Sequence, residues 1–104
     1  MKKVIIESPY AGDMKKNREY ARLCLLDCLK RGEAPFASHL LYTQVMNESD
    51  PEMRKLGIET GLEFGKCCDK TVVYYDLGFS EGMLKGILSA TQCAREIEFR
   101  TILK

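Results

Sequence analysis

The sequence predicts a three-layer α/β sandwich, with a four-stranded parallel sheet of flavodoxin or Rossmann-like type and helices on both faces. Three observations predict it. Short apolar or alternating runs intersperse with stretches of helical spacing in the order β-α-β-α-β-α-β, which implies parallel strands joined by right-handed crossovers. The chain has 104 residues, of which 45% are hydrophobic, enough for one domain with one ordinary core. No linker, internal repeat or low-complexity tract interrupts the pattern, so residues 1–104 are expected to form a single domain.

The first strand is read in "KVIIE" (3–7), a β-branched run. "SPYAGD" follows as a turn. The stretch from Met14 carries apolar positions Ala21, Cys24, Leu25, Cys28 and Leu29 at helical spacing, with Asp13 as N-cap and Gly32 as the C-terminal stop. "EAPFASHLL" (33–41) reads as a second, weaker strand. Asp50 followed by Pro51 marks a helix start, and that helix is expected to run to about Cys68. "KTVVYYD" (70–76) is the clearest strand, "SEGMLKGILSATQCA" (80–94) a third helix, and "EIEFRTI" (96–102) the last strand.

Charge and cysteine content narrow the function classes. Sixteen basic and 15 acidic residues give a net charge of +1, which argues against the basic stripe of a nucleic-acid binder. Five cysteines without a C-x-x-C pair, and a single histidine, give little support for a zinc site. Free thiols serving as small apolar residues are the expectation. No secretory h-region and no run of membrane-spanning length is present, so a cytoplasmic protein is expected, with no membrane partner, no metal and no cofactor.

In open parallel sheets, ligands sit beyond the carboxyl ends of the strands where strand order reverses. Ser8, Pro9, Tyr10, His39, Asp76 and Ser80 are expected to meet there, and Asn17, Gly82 and Met83 complete the candidate ligand-binding set. The loop after the first strand lacks both G-x-G-x-x-G and the P-loop pattern. Lys15, Lys16 and Arg18 in the first helical turns oppose the helix dipole, which an anionic ligand would offset; solvated side chains are the alternative. Asp76 either accepts the hydroxyls of a sugar or caps its own turn. Gly57, Gly61 and Gly65 share one helix face, predicting close backbone approach to the chain's own sheet or to a partner helix, and a homo-oligomer is expected through that helix. Glu59 and Glu63, four apart, read as a paired-carboxylate site or a solvated face.

"ESPYAGDMKKNREYAR", "RGEAPFASHLLYTQ", "GIETGLEFG" and "VVYYDLGFSEGM" together resemble a small uncharacterised family of phages and bacteria. That family is similar to the nucleoside 2-deoxyribosyltransferase-like superfamily. The resemblance implies binding of a nucleoside, nucleotide or related ribosyl compound. It also implies, as alternatives, N-glycosidic cleavage or 2-deoxyribosyl transfer, or an assembly role with a vestigial site. The superfamily's catalytic glutamate falls four residues after the Ser-x-Gly glycine, and here that position is Gly86. Asp76 and Glu81 are therefore the candidate catalytic carboxylates, with Asp76 positioning the sugar. Glu59, Glu63 and Glu98 are further carboxylates that would have to substitute.

Overall fold

A computed structural model describes residues 1–47 and 49–103. The elements are β1 (Lys3–Glu7), α1 (Met14–Lys30), β2 (Ala34–Phe36), α2 (Ser38–Leu41), a 3₁₀ turn (Tyr42–Gln44), α3 (Pro51–Gly65), β3 (Lys70–Tyr74), α4 (Glu81–Gln92) and β4 (Glu96–Arg100). All strand pairs are parallel, in the order β2-β1-β3-β4. The chain thus runs outward from β1 in one direction and returns from β3 in the other, so the switch lies between β1 and β3.

Alternation along β1 sorts the layers. Val4 and Ile6 join Tyr20, Cys24 and Cys28 of α1, with Val72 and Tyr74 of β3, in the principal core cluster. Ile5 and Glu7 point to the other face, against Gly65 of α3 and Gly86 of α4. The helices start where their caps dictate. Asp13 Oδ1 accepts the amide of Lys16 at 3.2 Å, and Asp50 Oδ1 that of Glu52 at 3.0 Å. At α4, Ser80 Oγ accepts the Met83 amide at 3.2 Å. Each satisfies an otherwise orphan N–H in the first turn. Gly32 takes φ +78° just past the end of α1, a backbone that side-chain-bearing residues resist.

One expectation is corrected and one pair of alternatives is decided. The second strand is three residues long, because the chain leaves the sheet at Ala37 and coils into α2; its Pro35 sits on a sheet edge, where a missing N–H is tolerated. The glycine face of α3 packs on its own chain. A side chain at Gly57 would run into Met46 Sδ (2.6 Å), one at Gly61 into Ser38 Oγ (2.7 Å), and one at Gly65 into Ile5 Cδ1 (3.2 Å). The three glycines therefore give no reason for a partner helix. Among the described residues, no helix is long and apolar enough to cross a membrane.

Candidate functional site

The end of β1 carries three consecutive side chains of chemical interest. Glu7 points to the α4 face. Ser8 is buried, and its Oγ lies 2.7 Å from Nε2 of His39. The short helix α2, rather than a strand end, brings His39 to Ser8. The Tyr10 ring stands edge-on to the imidazole, with centroids 6.4 Å apart. Burial drives the His39 pKa down to about 4, so at neutral pH the ring is uncharged and shares one proton with the Ser8 hydroxyl. Asn17 braces the loop between them by donating from Nδ2 to the Tyr10 and Ala11 carbonyls at 3.1 and 2.9 Å. Pro9 is buried beside them.

Asp76 lies at the same end of the sheet, two residues past β3, and its carboxylate is already engaged. It accepts the Tyr20 hydroxyl at 2.5 Å, the Ile102 amide at 3.0 and 3.1 Å, and the Leu103 amide at 2.8 Å. Burial alone would raise its pKa, but these hydrogen bonds outweigh it and hold the carboxyl below its ordinary value. Asp76 ties the segment after β4 to α1. Ser80 caps α4, and Met83 is buried beneath it, its Sδ 3.3 Å from the Ser80 amide. Gly82 and Glu81 are exposed on the first turn of α4.

The other carboxylates divide clearly. Glu98 is committed to Arg100 Nε and Lys70 Nζ, each at 2.6 Å. These hydrogen bonds, Arg100 first, pull its pKa down to about 2. Glu33 completes that network through a two-bond pair with Arg100 at 2.8 and 2.7 Å. Glu59 and Glu63 are exposed on α3, each beside a lysine of its own helix or the turn that follows it.

Glu7 is the residue that the sequence reading passed over. A side chain built on Gly86 would run directly into its carboxylate, with Oε1 at 2.7 Å. The space in front of Gly86 is thus filled by a carboxylate arriving from β1. Among the described residues no hydrogen bond or ion pair reaches it. No fully buried side-chain N or O among those residues lacks a partner, so the Glu7 oxygens keep contact with solvent. The side chain is only partly exposed, and the protein packed around it raises its pKa to about 8; burial is the larger influence, and the nearby Arg95 charge opposes it. At neutral pH Glu7 mostly holds its proton.

Beside this site, a groove of about 700 Å³ runs between α1, β2 and α2. Tyr10, Arg18, Arg22, Phe36, Thr43 and Gln44 are among the residues that line it. Among the described residues neither arginine has an ion-pair partner. Arg18 therefore faces this groove, whereas Lys15 and Lys16 are exposed. Arg22, one turn further on, was not legible as a site residue.

A family model described as Domain of unknown function (DUF7768) matches residues 2–100. No curated protein matches the sequence. Among solved structures, a 2-deoxyribosyltransferase from Bacillus psychrosaccharolyticus superposes with a TM-score of 0.69 at 18% identity, over 98% of this chain and 77% of its own. A CMP N-glycosidase from Clostridium botulinum gives 0.57 at 17% identity, over 96% and 71%. A 2-deoxyribosyltransferase from Leishmania mexicana gives 0.64 at 10%, over 97% and 65%. The chain has the nucleoside 2-deoxyribosyltransferase-like fold.

Proposed function

The chain belongs to the DUF7768 family, and from its fold and its site we propose that it binds a nucleoside, nucleotide or related ribosyl compound above the carboxyl ends of the strands. One observation carries this reading: the Ser8–His39 pair and the Tyr10 ring come together beyond the carboxyl end of β1, the end of an open parallel sheet at which ligands sit. A sugar hydroxyl pairs with the Ser8 or His39 polar atoms, a base stacks on Tyr10, and a phosphate reaches Arg18 and Arg22 in the adjoining groove. The fold relatives act on nucleosides or nucleotides by their names, which supports the ligand class. A second reading, N-glycosidic cleavage or 2-deoxyribosyl transfer, is favoured by the unpaired Glu7 carboxylate.

On the first reading the protein is a cytoplasmic, phage-type homo-oligomer. The half-exposed leucines of α1, Leu23, Leu26 and Leu29, support association better than the covered glycine face does. The test is a thermal-shift screen of nucleosides, nucleotides and cyclic dinucleotides. A ligand at about 100 times its Kd stabilises the folded state by about 2.7 kcal/mol, and Tyr10→Ala should abolish the shift. A protein whose melting point responds to none of them at millimolar concentration would refute ribosyl binding.

A further inference from the structure

We infer that the groove between α1, β2 and α2 holds the second half of a dinucleotide: two nucleosides joined through phosphate, with one nucleoside at the Ser8–His39–Tyr10 end. The inference rests on the ribosyl-binding reading above and names the ligand class of that same site. The bridging phosphate lies against Arg18 and Arg22, and the second base lies along the apolar lining of the groove. A mononucleotide fills only the first part of this path.

Three features of the molecule carry this assignment. First, the crevice and the groove share a residue: Tyr10 stands edge-on to His39 and also lines the groove. A ligand that reaches Tyr10 from the Ser8–His39 pair is therefore already at the groove. Second, the charge there has one sign. Arg18 and Arg22, four residues apart on α1, share a helix face, and among the described residues neither has a hydrogen-bond or ion-pair partner. No described acidic residue lines the groove. Two neighbouring guanidinium groups without a counter-charge match the oxygens of a phosphate linkage. Third, the groove is larger and more apolar than a phosphate needs. Its volume of about 700 Å³ falls among sites of about 300–1,000 Å³ that enclose a whole small molecule. Leu25, Pro35, Phe36, Leu40 and Leu41 supply its apolar lining, which a phosphate alone would leave bare and a flat ring covers. Thr43 Oγ1 donates to the His39 carbonyl and Gln44 Nε2 to the Leu40 carbonyl, each at 2.9 Å. The Gln44 amide oxygen is thereby left as an acceptor for the amino group of a base.

The test is calorimetry of the full chain with a matched series: a nucleoside, its 5′-monophosphate and the symmetrical dinucleoside 5′,5′-diphosphate, with each common base in turn. For the base that binds best, affinity should rise along the series, the dinucleotide binding on the order of tenfold more tightly than the monophosphate, as one stacked base contributes. Arg18→Gln with Arg22→Gln should weaken the monophosphate and the dinucleotide by similar factors and spare the nucleoside. Leu41→Ala with Gln44→Ala, both at exposed positions, should remove most of the dinucleotide's advantage and leave the other two ligands as they were, which also shows that this variant is folded. A dinucleotide that binds no more tightly than the monophosphate would overturn the inference and leave ribosyl binding standing. So would an advantage that survives Leu41→Ala with Gln44→Ala, because the second base would then lie elsewhere. A wild type that binds none of the series removes the ribosyl-binding reading and this inference together.

Discussion

Replacing Glu7 by glutamine should stabilise the protein, and by an amount that depends on pH. The amide is nearly isosteric with the protonated acid, so below pH 4.5 the two proteins should have equal stability. The folded carboxyl has a pKa of about 8 against an ordinary value of 4.5. Between those values the folded state holds a proton that the unfolded chain has released. Stability of the wild type therefore falls as pH rises from 4.5 to about 8 and levels off beyond, whereas the glutamine variant is spared that loss. At about 1.4 kcal/mol per pH unit the full span corresponds to about 5 kcal/mol; partial exposure of the side chain reduces the expected difference to about 2–4 kcal/mol. Urea unfolding of both proteins at intervals from pH 4 to pH 9 measures it. His39, whose pKa is displaced the other way to about 4, contributes to both curves and cancels in the difference. Parallel curves across pH 4.5–8 would refute the raised pKa and with it the picture of an unpartnered acid.

The remaining predictions concern the neighbours of that acid. Gly86→Ala should cost about 1–3 kcal/mol in the wild type, because the new methyl displaces the Glu7 carboxylate, but should add about 1 kcal/mol of helix propensity when Glu7 is alanine; additive effects in chemical denaturation would show that the two residues do not touch. Asp76→Asn should lose about 1.5–3 kcal/mol, as hydrogen bonds to a charged group do, and should speed hydrogen exchange at the Ile102 and Leu103 amides; unchanged exchange there would release Asp76 from its clamping role. Neutralising Arg18 and Arg22 together should weaken a nucleoside monophosphate more than the parent nucleoside in calorimetry, and equal losses would remove phosphate from the groove.

Much of the fold was legible because it rests on local chemistry. Asp13, Asp50–Pro51 and Ser80 announce helix starts by satisfying first-turn amides within three residues, so sequence suffices to find them. The run at 70–74 is buried throughout, as a central parallel strand is. Legibility failed where one pattern serves two structures. The apolar pair Leu40–Leu41 suits a strand or a helix, and only the turn at Ala37 decides between them. Three glycines on one face signal close approach whether the neighbour is Met46, Ser38 and Ile5 or a second subunit. Glu7 was hidden for a different reason. An acid closing a β-branched run reads as the solvated end of a strand, and its meaning depends on Gly86, 79 positions away, which interrupts a helix for no local reason.

Two carboxylates stand at this end of the sheet, and their surroundings separate their roles. Asp76 receives a hydroxyl and two backbone amides, so the charged form is favoured and the group cannot bond a ligand without giving up the chain segment it holds. Among the described residues Glu7 receives no hydrogen bond, so burial favours the proton against the pull of the Arg95 charge. The two environments push the carboxyls in opposite directions, Asp76 down through its hydrogen bonds and Glu7 up through burial. The aspartate that ends the most strongly patterned strand in the sequence is thereby a clamp. The acid with an unmet bonding capacity is the one that α4 makes room for by placing a glycine where every other residue would collide with it. That pairing ties a local weakness in a helix to an unpaired acid on a strand, and each is explained by the other.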